Sequence, residues 1–170
     1  PNMINLAVAI FNERLPKLVT VDGFLREGSS HYHFLFTRWV LEVRWLAVQM
    51  KNIEVEDLLN DYASVLVQRC WFFLVKNEET NQWDIPLIGD ISPDFPPDWL
   101  ITLPWSKVAI DVFRPPILPS VDNPSGWAGI FGLEVGNGKS RSNESMTFPL
   151  SHWHRIVNKD MTLFVHAAST

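Results

Sequence analysis

Nine of the twelve prolines in this 170-residue chain lie between Pro86 and Pro124. Proline has no backbone N–H, and its ring disfavours the helical conformation of the residue before it, so a stretch this rich in proline cannot form long helices. Long helices are therefore expected only before Pro86. After that point, secondary structure is expected to be brief.

Three helices are predicted in the first half of the chain. Apolar residues recur at three- and four-residue intervals over 2–14, which predicts an amphipathic helix that must end before Pro16. A second helix is expected to begin at Ser29 or Ser30, both good N-cap residues, and to continue to Met50. A third runs over 52–73, with an acidic first turn. Two long consecutive helices imply antiparallel packing. The connection over 18–25 contains Asp22-Gly23 and is predicted as an ordered loop in preference to a small hairpin.

The last third of the chain has a different character. Gly, Asn, Lys, Arg and Ser dominate 136–145 and predict a linker, whereas 152–157 and 161–167 are β-compatible runs around the turn composition Asn158-Lys159-Asp160. A hairpin follows naturally. Because a lone hairpin is marginal in water, we expect it to begin a larger sheet. The expected fold class is α+β, divided into 1–135, a linker at 136–148, and 149–170.

Composition narrows the function classes. A net charge of -5 argues against binding to nucleic acid or anionic lipid, which usually requires an excess of Lys and Arg on one face. No apolar run approaches the roughly 20 residues that a membrane-spanning helix needs, so membrane insertion is not expected. Cys70 is the only cysteine, which excludes an internal disulfide. An acidic partner would need a locally basic cleft.

The most informative segment is 22–33, DGFLREGSSHYH, where polar groups crowd the start of an otherwise apolar helix. The exposed amides and the dipole at a helix N-terminus favour an anion, so Tyr32 is a candidate proton-transfer group, with Arg26, His31 and His33 nearby. Spacing alone favours the alternative that Tyr32 packs in the core with the apolar residues of its stripe. His31 and His33, taken singly, are typical hydrogen-bonding surface residues.

This segment resembles the pattern of the heparinase II/III-like polysaccharide lyases, an Asp-Gly followed by Glu, a small residue and a Tyr-His pair that opens a helix. The segment 86–90, PLIGD, is similar to the family's Gly-Asp segment after the next long helix. The C-terminal hairpin lies where the family's β-sandwich starts. Together these features cover most of the chain in the family's order.

The resemblance implies the end of an incomplete (α/α) toroid, followed by a proline-rich connection and the first strands of an antiparallel β-sandwich. It also implies cleavage of uronic-acid-containing polysaccharides by β-elimination. Tyr32 matches the family tyrosine that serves as acid and often as base. Glu27 and His33 fall on motif positions near it, and with Arg26 and Asp90 they are the expected substrate-binding residues.

The resemblance also implies that the catalytic set is incomplete in this chain. The Asn or His that neutralises the substrate carboxylate would precede Pro1, and the sandwich histidine with its usual metal site would follow Thr170. The expected partners are an acidic polysaccharide and the rest of the parent chain, with no cofactor within these residues. The fragment alone would be inactive, and a periplasmic or extracellular location would suit the family. The alternative is a noncatalytic glycan-binding or scaffold relative.

Two further features invite functional readings. His152 and His154 lie two apart on a predicted strand, but without a third ligand at a recognisable spacing no metal site is expected. Trp105 and Trp127 lie in Pro- and Gly-rich segments and are the better candidates among the tryptophans for stacking on sugars. Packing is the commoner role for an indole.

Overall fold

The computed structural model describes residues 3–77, 82–84, 86–91, 144–159 and 161–167. Within these residues the chain forms three helices, a two-stranded antiparallel sheet and a three-stranded antiparallel sheet. The α+β class predicted from the sequence is therefore confirmed. Most of the proline-rich stretch, the greater part of the predicted linker, and Trp105 and Trp127 lie outside the described residues.

Helix α1 spans Met3–Leu18 and includes Pro16, so the predicted end before this proline is wrong. A proline within a helix loses its own N–H bond, and here that loss falls in the last turn. The turn is still closed, because the amide of Val19 donates to the carbonyl of Leu15 at 2.9 Å. Leu15 is the buried residue of this helix.

Helix α2 spans Ser30–Gln49 and helix α3 spans Ile53–Phe73, as the apolar patterns predict. Each begins at a side-chain cap. The hydroxyl of Ser29 accepts from the amide of Tyr32 at 3.1 Å, and the side-chain oxygen of Asn52 accepts from the amide of Val55 at 3.2 Å. These caps satisfy amides that have no partner within the helix.

The two long helices pack antiparallel, which confirms the prediction. Near the start of α2, an imidazole nitrogen of His33 lies 3.1 Å from the carbonyl of Leu66, late in α3. Towards the other end, the guanidinium of Arg44 donates to the side chain of Asn60. The start of α2 therefore lies against the end of α3.

Strands β1 (Val75–Asn77) and β2 (Gln82–Asp84) form a hairpin that the sequence analysis did not predict. Strands β3 (Met146–Phe148), β4 (Trp153–Asn158) and β5 (Met161–His166) form the second sheet in the order β3-β4-β5. The predicted C-terminal hairpin is confirmed as the β4–β5 pair. Strand β3 lies within the stretch 136–148 assigned to the linker, so the ordered sheet begins earlier than expected.

An aromatic cluster joins the loop before α2, the end of α3 and strand β4. The ring centroids of Phe24 and Phe72 are 5.1 Å apart, and those of Phe73 and Trp153 are 5.0 Å apart, both edge to face. All four side chains are almost fully buried. The loop that carries the motif is thereby held between helix and sheet. In the part of the chain that the structure describes, no helix is long and apolar enough to cross a membrane.

Candidate functional site

The first half of the motif is a tight, internally bonded loop. Val19 and Leu25 form an antiparallel bridge, and the amide of Thr20 donates to the carbonyl of Phe24 at 2.7 Å. The hydroxyl of Thr20 donates to one carboxylate oxygen of Asp22 at 2.7 Å. The predicted loop thus contains a single bridge of hairpin type. Residues 26–29 follow this loop and lead into the start of α2.

His33 is buried, and both of its ring nitrogens are engaged. The amide of Leu25 donates to Nδ1 at 3.3 Å, and Nε2 lies 3.1 Å from the carbonyl of Leu66. This pattern requires the tautomer with the proton on Nε2. Burial lowers the pKa of His33 to about 4, and the nearby Arg69 cation adds to the effect, while the bond to Leu66 opposes it. Neither ring nitrogen of His33 is therefore free for the substrate contact that was expected of this residue.

The segment 86–90 lies directly on the N-terminus of α2. The amide of Ser30 donates to the carbonyl of Ile88 at 3.0 Å, and the amide of Ile88 donates back to the Ser30 hydroxyl at 3.0 Å. The hydroxyl of Ser29 donates to the backbone carbonyl of Asp90. The two segments that carry the family resemblance are therefore in contact, although Ser29 and Asp90 are 61 positions apart.

Two glycines make this close approach possible. Gly89 has a φ of +74°, and a Cβ placed on it would lie 2.6 Å from the carbonyl oxygen of Gly28. Gly28 has a φ of +71°, and a Cβ there would lie 2.9 Å from the ring of His166 on β5. Neither position can accept a side chain without displacement of its neighbours.

Tyr32 lies in the first turn of α2, with its side chain half-buried. Its ring packs against the core, and the ring of the preceding His31 meets it edge to face with centroids 5.7 Å apart. His31 is buried, and neither of its ring nitrogens has a hydrogen-bond partner among the described residues. Burial lowers the pKa of His31, which favours the neutral ring. The residue beside Tyr32 is thus an uncharged imidazole in an apolar setting.

The other expected substrate-binding residues are exposed. Arg26 and Glu27 lie on the loop just before the α2 cap, and Asp90 lies at the end of the segment docked onto that cap. No ion pair joins any of these three side chains to another described residue. The structure places them around the start of α2 with their charged groups available to solvent.

Sequence reasoning missed two polar links to the sheet, one from the motif and one from the end of α3. The second carboxylate oxygen of Asp22 accepts from both the amide and the hydroxyl of Ser151, at 3.1 and 2.9 Å. Arg155 is fully buried on β4, and its guanidinium donates to the carbonyls of Trp71 and Phe72 at 3.3 and 3.0 Å, at the end of α3. The partners of Asp22 and Arg155 are 129 and about 84 positions away, so local patterns carry no signal for them.

No group of three or more His, Cys, Asp or Glu side chains is placed to hold a metal ion within the described ranges. His154 lies on β4, where its Nδ1 is 3.3 Å from the Thr147 hydroxyl. His152 precedes that strand with a φ of +56°. His152 therefore lies outside the strand, and the two histidines do not share one face of it, as their spacing had suggested.

Comparison with known proteins yields no relative. The chain matches no protein-family model, no curated protein and no solved structure. The geometry of the site is therefore the basis for its function. Tyr32 is half-buried in the first turn of α2, and that turn is fixed by the buried His33 and by the docked segment 86–90.

Proposed function

We propose that this chain is part of a polysaccharide lyase that cleaves uronic-acid-containing glycans by β-elimination, with Tyr32 as its catalytic acid and base. In this proposal α1–α3 belong to the end of an (α/α) toroid. Strands β3–β5 are the first strands of an antiparallel β-sandwich. The helical hairpin, with the sheet packed beyond it, is compatible with both assignments.

The observation that carries the proposal is the contact between 22–33 and 86–90. Both segments resemble parts of one family's sequence pattern, and they meet at the N-terminus of α2 through the Ser29 and Ser30 hydrogen bonds. Their meeting beside Tyr32 supports a common role.

The proposed chemistry needs one group that both accepts and donates a proton. The deprotonated phenolic oxygen of Tyr32 removes the proton on the carbon α to the uronate carboxylate. A double bond forms to the β carbon, whose bond to the glycosidic oxygen breaks. The same phenol then gives its proton to that leaving oxygen, which restores the starting form of Tyr32. The group that neutralises the carboxylate lies outside this chain in the proposal.

The surrounding residues divide into two roles. His33 is a positioning residue, because its ring joins Leu25 in the loop to Leu66 in α3 and so fixes the first turn of α2. Arg26, Glu27 and Asp90 are exposed around that turn and are the residues proposed to contact substrate. Arg26 supplies the positive charge that an acidic glycan requires.

The test is an elimination assay on the full-length protein with a panel of uronic-acid polysaccharides, following the ultraviolet absorbance of the unsaturated product. Tyr32→Phe keeps the ring packing and removes the hydroxyl, so we expect kcat to fall by about 10²–10⁴. Tyr62→Phe, a change at a partly buried tyrosine on α3, is the matched control and should retain activity.

The assay also separates the alternatives. Undiminished activity in Tyr32→Phe would remove Tyr32 from the mechanism. Saccharide binding without product across the panel would favour the noncatalytic glycan-binding relative. The 170-residue chain assayed alone should give no product, because the carboxylate-neutralising group is absent from it. Parent-like turnover by this chain would contradict that part of the proposal.

A further inference from the structure

A pocket of about 160 Å³ lies between the loop before α2 and the β3–β5 sheet. Its lining is rich in cationic and hydrogen-bonding groups from both sides and includes Arg26, His152, His166, Thr20, Ser151 and Trp153. Tyr32 and His33 do not line it. The pocket is therefore distinct from the residues proposed to carry out catalysis.

We propose that this pocket is a binding subsite for an oxyanion of an acidic saccharide, either a carboxylate or a sulfate, held by Arg26, His152 and His166. The choice of a saccharide rests on the function proposed above, whereas the anion site rests on the pocket itself. A single sugar acid group with its hydration removed fits a space of this size.

The charge distribution favours an anion. Arg26 has no ion-pair partner among the described residues, so its guanidinium is available for the bidentate contact that suits carboxylates and sulfates. The carboxylate of Asp22 is hydrogen-bonded to two residues that line the pocket, because its oxygens accept from Thr20 and Ser151. Glu27 is exposed and follows Arg26 in the chain. Neither acid forms an ion pair with Arg26.

The position of the His166 ring is fixed by its neighbours in the pocket. His166 stacks on Trp153, with ring centroids 4.3 Å apart and planes 15° apart, and the missing side chain at Gly28 leaves room for its ring. Burial lowers the pKa of His166, and the charge of His152 lowers it further, while a hydrogen bond with the Ser151 backbone opposes both. An anion bound beside the His166 ring would oppose these effects and favour the protonated form of that ring.

Anion binding should therefore strengthen as the pH falls. The protonated imidazoles attract the ligand, and its carboxylate or sulfate remains ionised near neutral pH. Arg26 from the loop and His152 from the start of β4 line the pocket together with His166.

The experiment measures the affinity of the 170-residue chain for three matched oligosaccharides, one bearing uronates, one bearing sulfates and one neutral, by calorimetry at pH 6 and pH 8. We expect binding of at least one acidic ligand, severalfold tighter at pH 6, and little binding of the neutral ligand. Inorganic sulfate alone is the fourth probe. It shows whether the anion suffices without the sugar.

Arg26→Gln and His152→Asn should each weaken acidic-ligand binding by about tenfold. Asparagine tolerates the left-handed backbone of His152, so the second variant should keep the fold. The controls are Arg14→Gln on the exposed face of α1 and His154→Asn on β4, which remove the same groups outside the pocket and should leave affinity unchanged.

Equal affinity for neutral and acidic ligands, or unchanged affinity in both pocket variants, would overturn the subsite. Its fate is separable from that of the lyase proposal. Arg26-dependent binding without any elimination product from the full-length protein would leave the subsite standing while the lyase proposal fell. Elimination by the full-length protein, with acidic-ligand binding and turnover both unaffected by His152→Asn, would remove the subsite and leave the lyase proposal standing.

Discussion

Tyr32 and His33 are adjacent in the chain, yet their environments differ completely. Tyr32 is half-buried at the helix start, whereas His33 is enclosed, with its ring bonded to Leu25 and Leu66. Neighbours on a helix point in different directions, so the Tyr-His pair gives one side chain to the surface and the other to the interior. The motif therefore leaves Tyr32 partly accessible, while the buried His33 holds the start of α2 in position.

The burial of His33 predicts a dependence of stability on pH. Its pKa of about 4 in the folded chain lies below the ordinary value of 6.5, so between these values the unfolded state binds the proton and the folded state does not. His33 therefore stabilises the fold fully above about pH 6.5, and this contribution is lost as the pH falls towards 4. The loss approaches about 3 kcal/mol.

Urea unfolding at pH 7 and pH 4.5 measures this effect. Acidic side chains add their own pH dependence, so the comparison is with His33→Gln, which cannot titrate but can still donate to Leu66 from the end of its side chain. The variant should be less stable than the native chain at pH 7, and it should lose less stability between the two pH values. An equal loss of unfolding free energy between pH 7 and pH 4.5 in both proteins would show that His33 is not responsible for the pH dependence.

At the scale of elements, α2 and α3 follow from their sequences because each contains its own start signal and apolar stripe. The cap hydroxyl and the amide it satisfies are three positions apart, so the interaction is local. The end of α1 was mispredicted because Pro16 removes only one hydrogen bond in the last turn, and the bond from Val19 to Leu15 still closes that turn. Strands β1, β2 and β3 are three residues long, too short for alternation to identify them.

The candidate site also has one part that the local sequence predicts and another that it does not. The position of Tyr32 at the start of α2 could be predicted, because it depends on Ser29 and Ser30 nearby. The enclosure of His33 could not, since its partner Leu66 lies 33 positions away on another helix. The pocket of Arg26 and His166 brings together a loop and a strand that are even more distant in the chain. Pairings of this kind arise only from the tertiary fold.

Arg155 predicts a strong coupling between β4 and the end of α3. Its buried guanidinium donates to two carbonyls at the helix C-terminus, where the helix dipole favours a cation. Burial lowers its pKa to about 10, which still leaves it charged at neutral pH. Arg155→Met should remove these donors and lower the free energy of unfolding by about 2 kcal/mol.

The matched control for this change is Arg14→Met on exposed α1, where the ion pair with Glu13 is open to solvent and should contribute little. Urea denaturation of the two variants gives the comparison. A loss in Arg155→Met no greater than in Arg14→Met would mean that the carbonyls of Trp71 and Phe72 find other donors.

Across the whole molecule, helices and sheet are joined through buried polar bonds as well as the aromatic cluster. Asp22 bonds to Ser151 across 129 positions, and Arg155 reaches α3 from β4. Phe24 and Trp153 pack beside the first of these links, with ring centroids 5.9 Å apart. The loop before α2 is thus a shared component of both parts of the structure.

Asp22→Ala should loosen this junction. The amide and hydroxyl of Ser151 and the hydroxyl of Thr20 would lose their acceptor, which should cost about 1–3 kcal/mol of stability. Amide hydrogen exchange at Ser151 should accelerate more than exchange in the middle of α3. Asp61→Ala, at an exposed position on α3, is the control. Unchanged protection of Ser151 in Asp22→Ala would show that the junction is held by the aromatic cluster alone.

The approach of Gly89 to Gly28 has a consequence for the order of folding. Gly28 precedes α2 and Gly89 follows α3, so the contact between them closes a long loop that contains both helices. The helices can form from local interactions well before this closure. Tyr32 would then acquire its final surroundings late in folding, and the amide of Ser30, bonded to Ile88, would report when that step is complete.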